Sequence, residues 1–361
     1  MDTELCDEDT KELIEKMQDL NPGPDGWKKG TRPVHSLGLG VHGVFKASKV
    51  ARQYCTAKHF EGGEIGVSVR FSNGSGSGTR RDGWSDIRGM ATRFYLTEDK
   101  KISTDLVSMT LGVFPNRTLD QFKELVRTTL QMLPVRRESP WRKLWDYLQM
   151  KDPLPYPYPG QTTSHAAGAL AYANQHREAQ LAVLSTKNIG APVSYARASY
   201  HAVHTFIVFG SDGQRRHVRF SWLPVYGVKK TKVDPHNPKP PKLDYLNGEM
   251  RKRLNSETRP PTRFVLQMTI AESGDAVNDP TKPWPRHRVK VIMGTLTLKY
   301  VYEDQQKMSE QIAFNPCHIV PGHFEVSSDE ILLARKEIYE CSSKMRNGTG
   351  CPFHASANAD G

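Results

Sequence analysis

Ile65-Gly-Val67-Ser68-Val69-Arg70-Phe71-Ser72 alternates apolar and polar residues with a period of two. That period puts Ile65, Val67, Val69 and Phe71 on one face of a strand and Ser68, Arg70 and Ser72 on the other. Working outward, Val44-Phe45 upstream continues a β region from about residue 34 to residue 96. Further strands are predicted at residues 200–228, where His204-Thr-Phe-Ile-Val-Phe209 and His217-Val-Arg-Phe-Ser-Trp222 flank Ser211-Asp-Gly-Gln in hairpin style, and at 264–270 and 289–302. Amphipathic helices are predicted over residues 9–20, 118–149, 164–184 and 243–254. Many strands with inserted and terminal helices give an α+β fold built on an antiparallel β-barrel.

The 361 residues are 37% hydrophobic, enough for a large core in one oversized domain. The reading divides the chain into a helical extension (residues 1–26), a main domain (27–350) and a short tail (351–361). Fifty basic and thirty-nine acidic side chains leave a net charge of 50 − 39 = +11. Such a balance suits anionic substrates or peripheral contact with an anionic membrane surface. No nucleic-acid recognition motif accompanies it, so nucleic acid is not expected as a partner. No apolar run approaches the roughly 18 residues that span a bilayer. The polar start Met1-Asp-Thr-Glu-Leu-Cys6 lacks the character of a secretory signal, and five scattered cysteines suit reduced thiols, so a cytoplasmic setting is expected.

Near the C-terminus, Asp329-Glu-Ile-Leu-Leu-Ala-Arg335-Lys-Glu-Ile-Tyr339-Glu-Cys-Ser-Ser-Lys-Met-Arg346 has helical periodicity, and Ser327 with Glu330 fits a capping box. Arg335 and Tyr339 are four apart and share a helix face. A guanidinium beside a phenol favours the phenolate, a form that serves as an axial ligand to haem iron.

Four segments together resemble the haem-binding core of catalases: Arg32-Pro-Val34-His35 through Phe45, Val69-Arg70-Phe71-Ser72, Asp86-Ile-Arg88 through Tyr95, and Arg335-x-x-x-Tyr339 with Arg346 seven residues later. They occur in the same order, at compatible spacing, and are most similar to the short catalase-related peroxidases. The resemblance implies a catalase-like antiparallel β-barrel core with inserted and terminal α-helices, holding haem b with Tyr339 as the iron ligand and Arg335 as its charge partner. It also implies His35 as the acid/base that moves a proton between the two peroxide oxygens, Ser72 as the partner that fixes its ring, and Arg32, Arg70 and Arg346 as holders of the haem propionates. Val34 and Phe122 match residues beside the distal face of the haem.

Two positions depart from the catalase pattern. Met109 stands where catalases carry an asparagine amide that helps to orient peroxide; a thioether offers a weak acceptor and no donor. Gly74 replaces a valine that narrows the access channel, which implies room for a larger substrate. The expected function is therefore a peroxidase acting on organic, including fatty-acid, hydroperoxides with an organic electron donor. Dismutation of hydrogen peroxide by a minimal catalase is the nearest alternative. Rearrangement like that of the coral allene oxide synthases ranks lower, because those enzymes place a threonine where Val34 stands. A haem sensor or carrier is the reading outside enzymes. The N-terminal helix is consistent with a homodimer.

Overall fold

The computed structural model describes residues 6–20, 30–75, 82–130, 134–136, 163–165, 169–231 and 244–347, with isolated positions at 141, 145 and 148. Its strands are β1 (Gly38–Ala47), β2 (Glu64–Asn73), β3 (Arg88–Tyr95), β4 (Ser103–Met109), β5 (Pro134–Arg136), β6 (Thr163–His165), β7 (Tyr200–Phe209), β8 (Arg215–Pro224), β9 (Arg263–Ile270), β10 (Lys290–Val301) and β11 (Phe324–Val326). The helices are α1 (Glu8–Asp19), α2 (Ala51–Tyr54), α3 (Leu119–Leu130), α4 (Ala169–Gln175), α5 (Arg177–Asn188), α6 (Tyr245–Leu254) and α7 (Glu330–Asn347).

Among the described residues, eight strands pair antiparallel in the order β7-β4-β3-β2-β1-β10-β9-β8, and β8 returns to β7 to close a barrel. Closure leaves no open edge in the ring. Strand β2 shows how the sequence builds the wall. Val67, Val69 and Phe71 enter the barrel core with Phe45, Phe94, Trp222 and Leu296, while Ser68, Arg70 and Ser72 lie on the outer face and are also buried. The outer wall must therefore be covered, and each polar group on it must find a partner.

Those partners come from His35 and Ser36 before β1, from Tyr95 and from residues 302–310, while the two chain ends build a separate apolar cluster. Leu13, Ile14 and Met17 of α1 pack with Val126 of α3 and with Ile338 and Cys341 of α7. Cys6 is disulfide-bonded to Cys341, which corrects the expectation of reduced thiols throughout; Cys55 and Cys317 are free. Partners 335 residues apart have no spacing signature, so the sequence could not announce this pair.

Three helix expectations also change. The helix expected over 118–149 is interrupted after Leu130, where Pro134–Arg136 pairs as β5 with β6, and positions 141, 145 and 148 are again helical; the rest of that stretch lies outside the described residues. The helix expected over 164–184 is two helices meeting at His176, whose ring lies 3.1 Å from Glu124 of α3 and 3.8 Å from Glu178 at the start of α5. For α7, the N-cap belongs to Asp329, whose Oδ1 accepts from Ile331 N at 3.0 Å and Leu332 N at 3.2 Å. Ser327 Oγ is buried without a hydrogen-bond partner, and Glu330 instead accepts from Leu119 N, tying α7 to α3.

Candidate active site

His35 precedes β1 and has a left-handed backbone, φ +57°. A non-glycine residue there costs of order 1–3 kcal/mol and persists only where its surroundings hold it. Its N–H donates to the Gly74 carbonyl at 3.1 Å, and its own carbonyl accepts from Arg70 Nη1 at 3.0 Å. The ring is held as well, with Nδ1 2.9 Å from Ser72 Oγ. Burial, reinforced by the charges of Arg70, Arg335 and Arg32, lowers the His35 pKa to about 3, so the imidazole is neutral near pH 7 and able to accept a proton.

Gly89 explains why the neighbouring motif needs a glycine. A Cβ there would come within 2.6 Å of Ser72 Oγ and 3.0 Å of His35 Nδ1. Ser72 pairs with Gly89, Gly89 with Met109, and Met109 with His201, so these residues form one row across β2, β3, β4 and β7. Met109 therefore sits one strand beyond the glycine that opens space beside His35. His201, whose Nδ1 lies 2.8 Å from Ser221 Oγ, extends the row and had no signal in the sequence.

The Gly74 expectation does not hold. A Cβ on Gly74 would meet the Ile87 carbonyl oxygen at 2.9 Å and Asp86 Oδ1 at 3.0 Å. The space a side chain would need is filled by the β3 approach segment, so the glycine accommodates packing and opens no passage there.

Four residues wire the α7 side of the site together. Arg335 Nη2 donates to Tyr339 Oη at 2.8 Å, as the four-residue spacing required. Arg335 Nη1 lies 2.7 Å from His204 Nε2, and His204 Nδ1 lies 2.6 Å from Asp329 Oδ2. Burial is the main reason that the His204 pKa falls to about 4. A neutral His204 protonated on Nδ1 satisfies both contacts: it donates to Asp329 and accepts from Arg335. Phe114 completes this wall, with Arg335 Cζ 5.8 Å from its ring centroid and the Phe122 centroid at 6.1 Å. Val34 and Phe122 pack against the α1–α3–α7 apolar cluster.

Two of the three predicted propionate arginines, Arg32 and Arg70, share a carboxylate that the sequence did not single out. Glu310, on a short π-helical turn (Gln306–Gln311), accepts from Arg32 Nη1 and Arg70 Nη2, both at 3.0 Å. Arg70 also donates to Ser309 Oγ and to the Ser36 carbonyl, while Arg32 Nη2 donates to the Ile312 carbonyl. Although burial opposes ionisation, Arg70 and Arg32 hold the Glu310 carboxyl below the usual range. Burial, Arg70 and Arg346 together disfavour the Arg32 cation, with Glu310 in partial compensation. Arg346 Nη1 donates to Ser342 Oγ. Two guanidinium groups on one carboxylate, with Arg346 in electrostatic range of Arg32, favour a further anionic group. Together with a phenol bonded to Arg335 and a neutral histidine in electrostatic range of the same arginine, this donor set fits a haem whose propionates meet the arginines.

Comparisons with known proteins agree with this geometry. The sequence profile of the family described as Catalase matches residues 12–153 and 157–353. The chain is 27% identical over 326 residues to a catalase-related peroxidase of Mycolicibacterium paratuberculosis, covering 90% of this chain and 92% of that protein. A catalase-related peroxidase of Synechococcus elongatus is 26% identical, with 90% and 86% covered. Catalase-2 of Bacillus subtilis is 28% identical over 90% of this chain, which spans 46% of that longer protein. The crystal structure of a fungal catalase superposes with a TM-score of 0.69 at 22% identity, over 90% of this chain and 60% of the other, a likeness of fold.

Proposed function

The chain belongs to the catalase family, whose members depend on haem and act on peroxides, and we propose that within it this protein is a peroxidase reducing organic hydroperoxides, fatty-acid hydroperoxides among them, with electrons from an organic donor. Met109 carries that choice. It lies in the Ser72–Gly89 row, where the resemblance places an amide that orients the small, polar hydrogen peroxide molecule. A thioether cannot donate a hydrogen bond there, and it presents an apolar surface better suited to an alkyl chain next to the peroxide group.

In this reading Tyr339 Oη is the iron ligand, with Arg335 donating to it and His204 and Asp329 holding Arg335 in place. Arg32, Arg70 and Arg346 receive the propionates. When bound, haem supplies the electrons that break the O–O bond. The chain's own residues manage the proton. Neutral His35 accepts it from the hydroperoxide oxygen through Nε2, since Nδ1 is engaged by Ser72, and returns it to the departing alkoxide oxygen. Ser72 fixes the ring tautomer, and the left-handed His35 backbone fixes its direction.

Dismutation of hydrogen peroxide is the second reading, because the His35–Ser72 pair is intact. An oxygen electrode separates the two on haem-loaded protein. Little oxygen from hydrogen peroxide, with conversion of a fatty-acid hydroperoxide to its alcohol by mass spectrometry, supports the peroxidase; vigorous oxygen release overturns it.

A further inference from the structure

Two residues along β2 from Arg70, the outer barrel wall carries a second polar cluster. Ser68 Oγ lies 2.8 Å from Tyr302 Oη and 2.9 Å from Tyr95 Oη. Tyr302 Oη is also 3.3 Å from His42 Nδ1. Ser68, Arg70 and Ser72 share one face at about 7 Å intervals along the strand. The phenols therefore sit at the end of the same face that holds the arginine cluster and the His35–Ser72 pair.

A bulge brings this cluster to the surface. The β1–β10 register shifts between His42 and Gly43: His42 faces Tyr300 and Gly43 faces Leu298, leaving Lys299 as the extra residue. A bulge re-aims the side chains that follow it. Leu296 and Leu298 point into the core, whereas Tyr300 is 51% exposed and stacked on His42 with ring centroids 4.9 Å apart. The rings of Tyr300 and Tyr302 meet edge to face at 5.8 Å. Tyr300 also walls a surface groove of about 520 Å³ with Arg251, Asn255 and Glu303. That volume admits a ring-sized molecule, and the lining offers an aromatic face, an amide, a cation and a carboxylate acceptor.

We propose that this groove binds a phenolic reductant and that Tyr300 and Tyr302, with His42 as proton acceptor, carry its electrons toward the peroxide-reducing pocket. The proposal rests on the peroxidase reading and names its donor class. Each donor gives up one electron and its hydroxyl proton. Two electrons and two protons convert ROOH to ROH and water, and two phenoxyl radicals leave. An electron can leave a phenol readily only when its proton has somewhere to go. The Tyr302 hydroxyl has His42 Nδ1 within reach, and burial together with Lys100 and Lys299 keeps that imidazole neutral. The proton returns from His42 when Tyr302 is re-reduced through Tyr300.

Hydroquinone is the probe. Equilibrium dialysis of haem-loaded protein without peroxide should show hydroquinone binding in the wild type and its loss in Tyr300→Ala. Freeze-quenched electron paramagnetic resonance on haem-loaded protein given an alkyl hydroperoxide without donor should show a tyrosyl radical that is lost or altered in Tyr302→Phe. Hydroquinone oxidation should fall about tenfold in Tyr302→Phe protein that keeps the wild-type Soret band. Absence of binding to the haem-loaded wild type overturns the proposal, and so does a hydroquinone oxidation rate unchanged by both substitutions. Failure of the peroxidase reading shows separately, as hydroperoxide left unconsumed by the wild type; that result removes the oxidant and overturns the proposal as well.

Discussion

Arg70 donates from Nη1 to the backbone carbonyl of His35 at 3.0 Å, and His35 is in a left-handed conformation. The residue that the sequence marked as a propionate holder thus also fastens the backbone of the acid/base histidine. Its Nε and Nη2 go to Ser309, Ser36 and Glu310, so most of its five donors serve the protein. Arg70 is in this sense a positioning residue as well as the proposed holder of a haem propionate.

Arg70→Lys should therefore lower kcat for hydroperoxide by about tenfold or more, because an ammonium cannot reproduce the fork that holds His35, Ser36 and Glu310 at once. Gly38→Ala should have the same effect, since the added Cβ would lie 2.3 Å from Arg70 Cζ. Single-turnover kinetics on protein with an intact Soret band checks both. Wild-type rates in the pair would show that the Arg70–His35 contact is immaterial.

Met109→Asn restores a donor in the Ser72–Gly89 row. Oxygen release from hydrogen peroxide should rise by about tenfold, the scale of one added hydrogen bond in the transition state. The substitution should at the same time slow reduction of a fatty-acid hydroperoxide. A Clark electrode and product mass spectrometry read the two effects on one preparation.

Most of the barrel was legible in the sequence because period-two alternation marks one-sided strands, and β2 and the β7–β8 hairpin follow it closely. The Arg335–Tyr339 contact was legible because four residues of helix bring two side chains together. What stayed hidden depends on distant partners. Glu310 meets Arg70 from 240 positions away, and His204 meets Asp329 across 125. Neither has a local pattern. Gly74 misled for a related reason: whether a missing side chain opens a channel depends on what fills the gap, and here Ile87 does. The Cys6–Cys341 pair was hidden in the same way.

Loss of that disulfide should cost about 2–5 kcal/mol, because it closes a very long loop and joins α1 to the helix that carries Tyr339. Cys6→Ser should unfold at a lower temperature than the wild type in non-reducing buffer. It should also be insensitive to dithiothreitol, which should bring the wild type down to the same midpoint. Differential scanning calorimetry gives the answer.

Acid should destabilise the fold well above the carboxylate range. Burial holds His35 and His59 at about 3 and His204 at about 4, against 6.5 for a free imidazole. The unfolded chain therefore binds protons that the native state refuses. Stability is full above about pH 6.5 and falls as the pH drops toward 4 and then 3. Denaturant melts across that range should show a falling midpoint. In His59→Gln, whose side chain lies in the barrel core, the fall should be shallower by about one proton.

The most direct test of the haem assignment is the optical spectrum of Tyr339→Phe protein reconstituted with haem beside the wild type. The proposed ligation by Tyr339 predicts that losing the phenol oxygen will shift the Soret and visible bands and weaken haem retention on gel filtration. A Tyr339→Phe protein that retains haem with an unchanged spectrum would show that Tyr339 is not the iron ligand, and the account of the site would fail with it.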